Sequence, residues 1–148
     1  MPAPRVAAGW ALGMFIGCTI PFGLQLILAI PLSFALKVSK IGASLGTFIT
    51  NPLTIVFIYP AQIWVGARLM GATLGSEEIQ SYCTRLMSVS LFSADGWQTL
   101  AEIGGVILGG FFLGGFLLAL VCTPLTYFGV LRLVEAHRAR RARKAALS

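Results

Sequence analysis

The sequence predicts an all-α integral membrane protein: two Pro-interrupted hydrophobic segments, broken or re-entrant, one long Gly-rich transmembrane helix, and an interfacial amphipathic helix. Three observations carry this. Of 148 residues, 57% are hydrophobic and 11% charged, against about a quarter charged in an ordinary soluble domain. That is too little charge to wet a globular surface. Three stretches, residues 6–36, 41–67 and 103–131, carry no charge. Two of these are interrupted by proline near their middles. The chain accordingly divides into a membrane domain over 1–71, an extramembrane or interfacial segment over 72–96, the Gly-rich helix over 97–131 and a basic tail over 132–148.

The first run, Val6 to Leu36, holds 31 residues. As one straight helix it would span about 46 Å, well beyond the roughly 30 Å of a hydrocarbon core. Near its middle lies Pro21-Phe22-Gly23-Leu24-Gln25. Pro removes a backbone donor, and Gly tolerates the bend that follows. The run is therefore a broken helix or two half-length helices returning to one side. Arg5 and the apolar stretch after it imitate a signal peptide. Pro21 and Gly23 interrupt that stretch and no clear small-residue cleavage site follows, so it is read as retained. The second run, Ile41 to Ala67, repeats the pattern at Asn51-Pro52, where the proline pushes Asn51 out of the α region. A faint echo links Leu12-Gly13-Met14-Phe15-Ile16 with Leu45-Gly46-Thr47-Phe48-Ile49.

Between the second and third runs, Ser76 can cap a helix whose first turn carries Glu77 and Glu78. Ile79, Tyr82, Leu86 and Met87 then share one face, as in a helix lying flat in the interface or packed on a partner. The third run, Ile103 to Leu131, reads as one long helix with Asp95 as N-cap, Trp97 and Tyr127 at the two interfaces, and Pro124 kinking its far end. Its glycines come in pairs: Gly104 and Gly105, Gly109 and Gly110, Gly114 and Gly115. The Gly105–Gly109 and Gly110–Gly114 spacings let helix backbones meet. A five-residue step turns a helix by roughly 140° beyond one full turn, so the two spacings face different ways. Packing on several sides points to contact with other subunits or to self-association.

Charge orients the chain. The net charge is +6, and Arg132, Arg138, Arg140, Arg141, Arg143 and Lys144 crowd the last 17 positions. A basic end after an apolar run marks the cytoplasmic side and can hold anionic headgroups. The link from Lys37 to Lys40 belongs on the same side. The second and third runs then each cross once, and the first re-enters with an inside N-terminus or crosses from an outside one; Arg5 favours re-entry. Nucleic-acid binding is not expected, because no soluble fold accompanies the basic patch.

Catalytic groups are scarce. His137 is the only histidine and lies in the basic tail. Cys18, Cys83 and Cys122 form neither a disulfide framework nor a zinc pattern, and the glycines are spaced for packing instead of phosphate binding. No enzyme, metal or cofactor is expected. The polar atoms at the breaks are the remaining candidates: Pro21, Gly23 and Gln25 at the first, Asn51, Pro52, Thr54 and Tyr59 at the second, with Thr47 and Thr50 just before it. Broken helices in transporters offer unpaired backbone groups that hold ions or substrates. The commoner use of such residues is to satisfy the backbone groups that the prolines release.

At these residues the chain resembles a known family. Gly13-x-Phe15-x-Gly17, then Pro21-Phe22-Gly23-Leu24-Gln25, then Gly46-Thr47-Phe48-Ile49-Thr50-Asn51-Pro52-Leu53-Thr54 and Tyr59 are similar to the bacterial membrane family called domain of unknown function 2062. The likeness covers about residues 6 to 71; where the family often has an Asn near the link, this chain has Val38-Ser39. The resemblance implies a bacterial inner-membrane location and supplies no activity. Two functions are carried forward: a structural or accessory subunit of a membrane assembly, and a homo-oligomeric transporter or channel-like protein with a midplane site at the two breaks.

Overall fold

The computed structural model describes residues 1–88, 93–102 and 104–147. The side chains of Leu86, Met87, Asp95 and Glu102 lie outside what it describes, as does Ile103. The described residues form seven helices and no strand: α1 (Ala3–Thr19), α2 (Gln25–Ala35), α3 (Lys40–Thr47), α4 (Pro52–Leu69), α5 (Ser76–Ser88), α6 (Ala94–Glu102) and α7 (Gly105–Ala146).

Both expected breaks are present. α1 ends at Thr19, two residues before Pro21, and Gly23 supplies a φ of +101° in the turn. α2 then returns along α3, with Ala29 buried against Ile16 and Ala43. The link after it folds back to the start of α1, where the Ser39 amide donates to the Arg5 carbonyl at 3.1 Å. Residues 6–36 are thus two half-length helices that come back to one end. The second break bends α3 against α4 by 71°.

α1 and α3 run parallel at very close range. A Cβ on Gly9 would strike Ser39, one on Gly13 would strike Ala43 and Gly46, and one on Gly46 would strike the Trp10 carbonyl. Glycines four apart place flat backbone on one helix face, and that face here is α1's own. Gly13 and Gly46, matched in the sequence echo, meet at this crossing. The signal of Gly9, Gly13 and Gly17 against Gly42 and Gly46 was legible in the chain and is not among the expectations above.

α7 corrects four of them. The third run is not entered through Trp97 as one helix. α6 is separate, begins after Ser93, and Gly104 with φ +85° precedes α7. Asp95 lies inside α6 and does not cap α7. The basic segment is not a separate tail, because α7 continues through Pro124 to Ala146, 42 residues in all, or about 63 Å of helix. The glycine faces, finally, are filled by this chain. Gly110 and Gly66 meet face to face, Gly114 lies on the Gln62 carbonyl, and Gly115 on that of Cys18. α4 and α1 supply the two sides that seemed to need other subunits. Gly104 caps and Gly105 begins the helix, and a Cβ on either would meet nothing of this chain within 4 Å.

α1 runs antiparallel to α7. Phe15 meets Phe116 edge to face, and Arg138 Nη2 donates to the Met1 carbonyl at 2.6 Å. The N-terminus, the Lys37–Lys40 link and the basic end of α7 therefore lie at one end of the bundle. At the other end Ile55, Tyr59, Ile63, Ile79, Cys83, Ile107 and Phe111 form the main core, joining α4, α5 and α7. α5 buries Ile79 as expected, with Cys83 as its second buried contact, and Tyr82 packs partly buried against the same core. Among the described residues α7 is the one helix long and apolar enough to cross a membrane, and the bent α3–α4 pair passes the same test as a unit.

Candidate functional site at the two helix breaks

A helix that stops inside an apolar interior leaves its last carbonyls without partners. α1 stops in this way at Thr19, and side chains from both breaks converge on its end. Gln25 Nε2 lies 3.1 Å from the Gly17 carbonyl, 2.9 Å from that of Ile20 and 2.7 Å from Thr50 Oγ1. Thr50 Oγ1 lies 3.0 Å from the Gly17 carbonyl and 3.2 Å from that of Thr47. Gln62 Nε2, from the middle of α4, donates to the Cys18 carbonyl at 3.1 Å. Gln25, Thr50 and Gln62 are each at most 3% exposed. Two amides and one hydroxyl thus end α1 where no water is available to do so.

The second break is closed by its own residues. Asn51 sits at φ −126°, ψ 168°, extended as the following proline demands. Its Oδ1 accepts from the Leu53 and Thr54 amides, while its own amide donates to Thr54 Oγ1 at 2.9 Å. This reciprocal capping box starts α4 with Pro52 in the first turn, where its missing N–H costs nothing. Thr54 Oγ1 also donates to the Ile49 carbonyl at 2.6 Å. Tyr59, 3% exposed, ties the two breaks together: its hydroxyl accepts from the Phe22 amide at 2.7 Å, and its ring packs on Phe111.

The fold therefore brings Gln25, Thr50 and Tyr59 into one layer with Pro21 and Gly23, while Asn51, Pro52 and Thr54 work locally at the second turn. Gln62 was absent from the sequence expectations. Its signal was a lone amide inside an uncharged run. It leaves one atom unspent, since Gln62 Oε1 is buried with no hydrogen-bond partner. Ser39, in the link, caps α3 by accepting from the Gly42 amide at 3.1 Å, a task that Asn performs equally well.

Away from the breaks, burial on α5 pushes the Cys83 thiol up to about 11. All three cysteines are free. Among the described residues no three His, Cys, Asp or Glu side chains gather where they could hold a metal. Arg132, Arg138, Arg140, Arg141, Arg143 and Lys144 lie along the last turns of α7, where every described residue beyond Val134 is exposed.

No curated protein and no solved structure matches the chain. The family described as uncharacterized protein conserved in bacteria, DUF2062, matches over residues 2–143. The match extends well past the break motifs of residues 6–71 to take in α5, α6 and the glycine-paired helix. From the α1 ladder to the basic end of α7, the chain belongs to the DUF2062 family.

Proposed function

We propose that this protein is a multi-pass protein of the bacterial inner membrane that serves as a non-catalytic structural subunit of a larger membrane assembly, with both chain ends on the cytoplasmic side. The observation that carries this reading is the use made of the break residues. Gln25, Thr50, Asn51, Thr54 and Tyr59 all bond to the chain itself, so the breaks shape a packed body instead of lining a cavity.

The surface supports the membrane part. α2 exposes Leu26, Ile27, Leu28, Ile30, Leu32 and Phe34, and α7 exposes Phe112, Phe116, Leu120, Val121, Leu125 and Phe128. Soluble monomers rarely expose apolar patches larger than a few hundred Å². The basic groups of residues 5, 37, 40 and 132–144 cluster at one end, which the charge rule assigns to the cytoplasm. On this reading residues 3–35 re-enter, α3–α4 and α7 cross, and the last turns of α7 stand out from the membrane as a cationic post for an acidic subunit surface. Lipids and other subunits are its partners.

The test is native mass spectrometry of protein extracted gently with its lipid. A fixed ratio to a different polypeptide is expected, lost when Arg140, Arg141 and Arg143 are all changed to Glu. A stable pure homo-oligomer in the wild type would overturn the subunit role. That outcome would favour the second reading, a homo-oligomeric transporter or channel, which draws on one observation: Gln62 Oε1 is an unspent polar atom buried beside the end of α1. Proteoliposomes loaded with sodium, potassium or pH dyes would then show flux that Gln62→Met abolishes while insertion persists.

A further inference from the structure

We propose that the link between α2 and α3 binds the headgroup of one anionic phospholipid, with Lys37 and Lys40 on its phosphate. The inference rests on the membrane reading above and adds a ligand to it. The observation that carries it is the conformation in which Lys37 is held. Its φ of 54° is left-handed, a region that suits glycine and strains any residue with a Cβ. α4 closes with the same turn and places Gly71 there. Nothing inside the protein offsets the strain at Lys37. Its backbone amide closes the turn on the Phe34 carbonyl, as that of any residue would, and among the described residues its ammonium makes no hydrogen bond or ion pair. A cation does gain from the dipole of a helix C-terminus, but the exposed positions of Ala35 and Leu36 in the same turn offer that gain without strain. A strained, exposed side chain with no partner inside points to a ligand outside.

The surroundings decide what that ligand is. Lys40 is exposed, with its Nζ 3.5 Å over the Phe34 ring, so a second ammonium is held beside the end of α2. Ser39, between the two lysines, donates to the Arg5 carbonyl, which brings a third exposed cation to the link. The first carboxylate in the chain is Glu77. Glu135, on α7 at the same end of the bundle, pairs with none of the three among the described residues. Positive charge without a carboxylate to balance it calls for a net anion, and the three donors of an ammonium suit phosphate oxygens. The flanks are apolar: Leu32, Phe34, Leu36 and Ile41 are all exposed. A soluble anion would leave that surface bare. The acyl chains of a lipid cover it while its phosphate meets the lysines at the boundary. A headgroup with its own amine would bring a cation to a site that has only cations.

The experiment titrates the full-length, delipidated protein in detergent with dioleoyl phosphatidylglycerol and, separately, with dioleoyl phosphatidylcholine, counting adducts by native mass spectrometry. The first phosphatidylglycerol is expected to bind roughly tenfold more tightly than phosphatidylcholine. Lys37→Gly should raise the melting temperature and weaken that first adduct roughly tenfold, as loss of one charge-assisted contact does. Misfolding does not produce a variant that gains stability while it loses its ligand. Lys37→Arg should keep the adduct, and Arg85→Gln, on α5 at the other end of the bundle, should leave it unchanged. Unchanged affinity in Lys37→Gly would overturn the proposal. So would equal binding of phosphatidylcholine, a fall in the melting temperature of Lys37→Gly, or displacement of the lipid by millimolar glycerol 3-phosphate. Resistance to carbonate extraction separates failure of the site from failure of the membrane reading. A protein that stays in the membrane but shows no preferred adduct loses only the lipid site, whereas one that washes off loses both.

Discussion

Gln25 satisfies two carbonyls of the α1 terminus and touches Thr50 in the same layer. Truncating it strands the Ile20 carbonyl and leaves Thr50 as the remaining donor to Gly17, and a buried unpaired polar group costs about 1–3 kcal/mol. Gln25→Ala is therefore expected to lower unfolding stability by about 2 kcal/mol, readable as a fall in the melting temperature of the detergent-solubilised protein. Lys37 points the other way. α2 and α4 end in the same double-bonded turn: the Val38 amide reaches the Ser33 carbonyl as the Ala72 amide reaches that of Ala67. At the left-handed position α4 has Gly71, while α2 has Lys37 at φ 54°. A side chain there costs about 1 kcal/mol, so Lys37→Gly should raise the melting temperature. Cys83 reports on α5. Burial raises its thiol from 9.0 to about 11, so the folded state holds the proton more tightly than the unfolded chain does. The associated stability is fully present below pH 9 and falls as the pH rises toward 11. Maleimide labelling of Cys83 should be suppressed about 100-fold at pH 8 relative to an ordinary thiol. Unsuppressed labelling would mean that α5 does not stay docked.

Among the helices, glycine does two different jobs, and substitution separates them. Gly66 and Gly114 let α4 and α7 touch backbone to backbone, so an added methyl must push the helices apart. Overpacking of this kind costs about 1–3 kcal/mol, and Gly66→Ala and Gly114→Ala should each lose that much. Gly105 and Gly129 meet nothing within 4 Å. Replacing a helical glycine in open space removes only its excess backbone freedom, so Gly129→Ala should gain about 0.5–1 kcal/mol. Sequence spacing marked Gly105 and Gly114 alike as packing residues and marked neither Gly66 nor Gly129. It could not say which ones pack, because that depends on where α1 and α4 cross α7. The two breaks were more legible. Proline fixes φ and removes a donor wherever it stands, so Pro21 and Pro52 announce interruptions without knowledge of neighbours.

Taken as a whole, the molecule gathers most of its basic residues at one end, with Arg68, Glu77, Glu78 and Arg85 on α4 and α5 away from it. α7 is the long member, and its exposed turns beyond Val134 lie past the packed body. Removal of residues 136–148 should leave the melting temperature within about 1 °C of the full chain, since exposed positions contribute little to stability. The same truncation should release any partner held by the post. Reporter fusions test the topology: a fluorescent protein should mature on both termini, and alkaline phosphatase should be active when fused in the α5–α6 stretch. A periplasmic N-terminus would contradict the antiparallel pairing of α1 with α7 near Met1 and Arg138.

By itself the sequence determined what is local or compositional: an all-helical, strongly apolar chain, its two proline breaks, the amphipathic face of α5 and the crowding of basic residues near the C-terminus. These follow from backbone dihedrals, missing donors and transfer free energies that each residue carries with it. Only the tertiary structure decided what the polar break residues bond to, that Gln62 joins them from α4, and that the glycine faces are filled by α1 and α4 of the same chain. It also decided that Gly104 separates α6 from α7 and that the basic end continues the helix. Those outcomes depend on which distant segments meet, and a terminal carbonyl in an apolar interior takes whichever donor the fold brings within 3 Å.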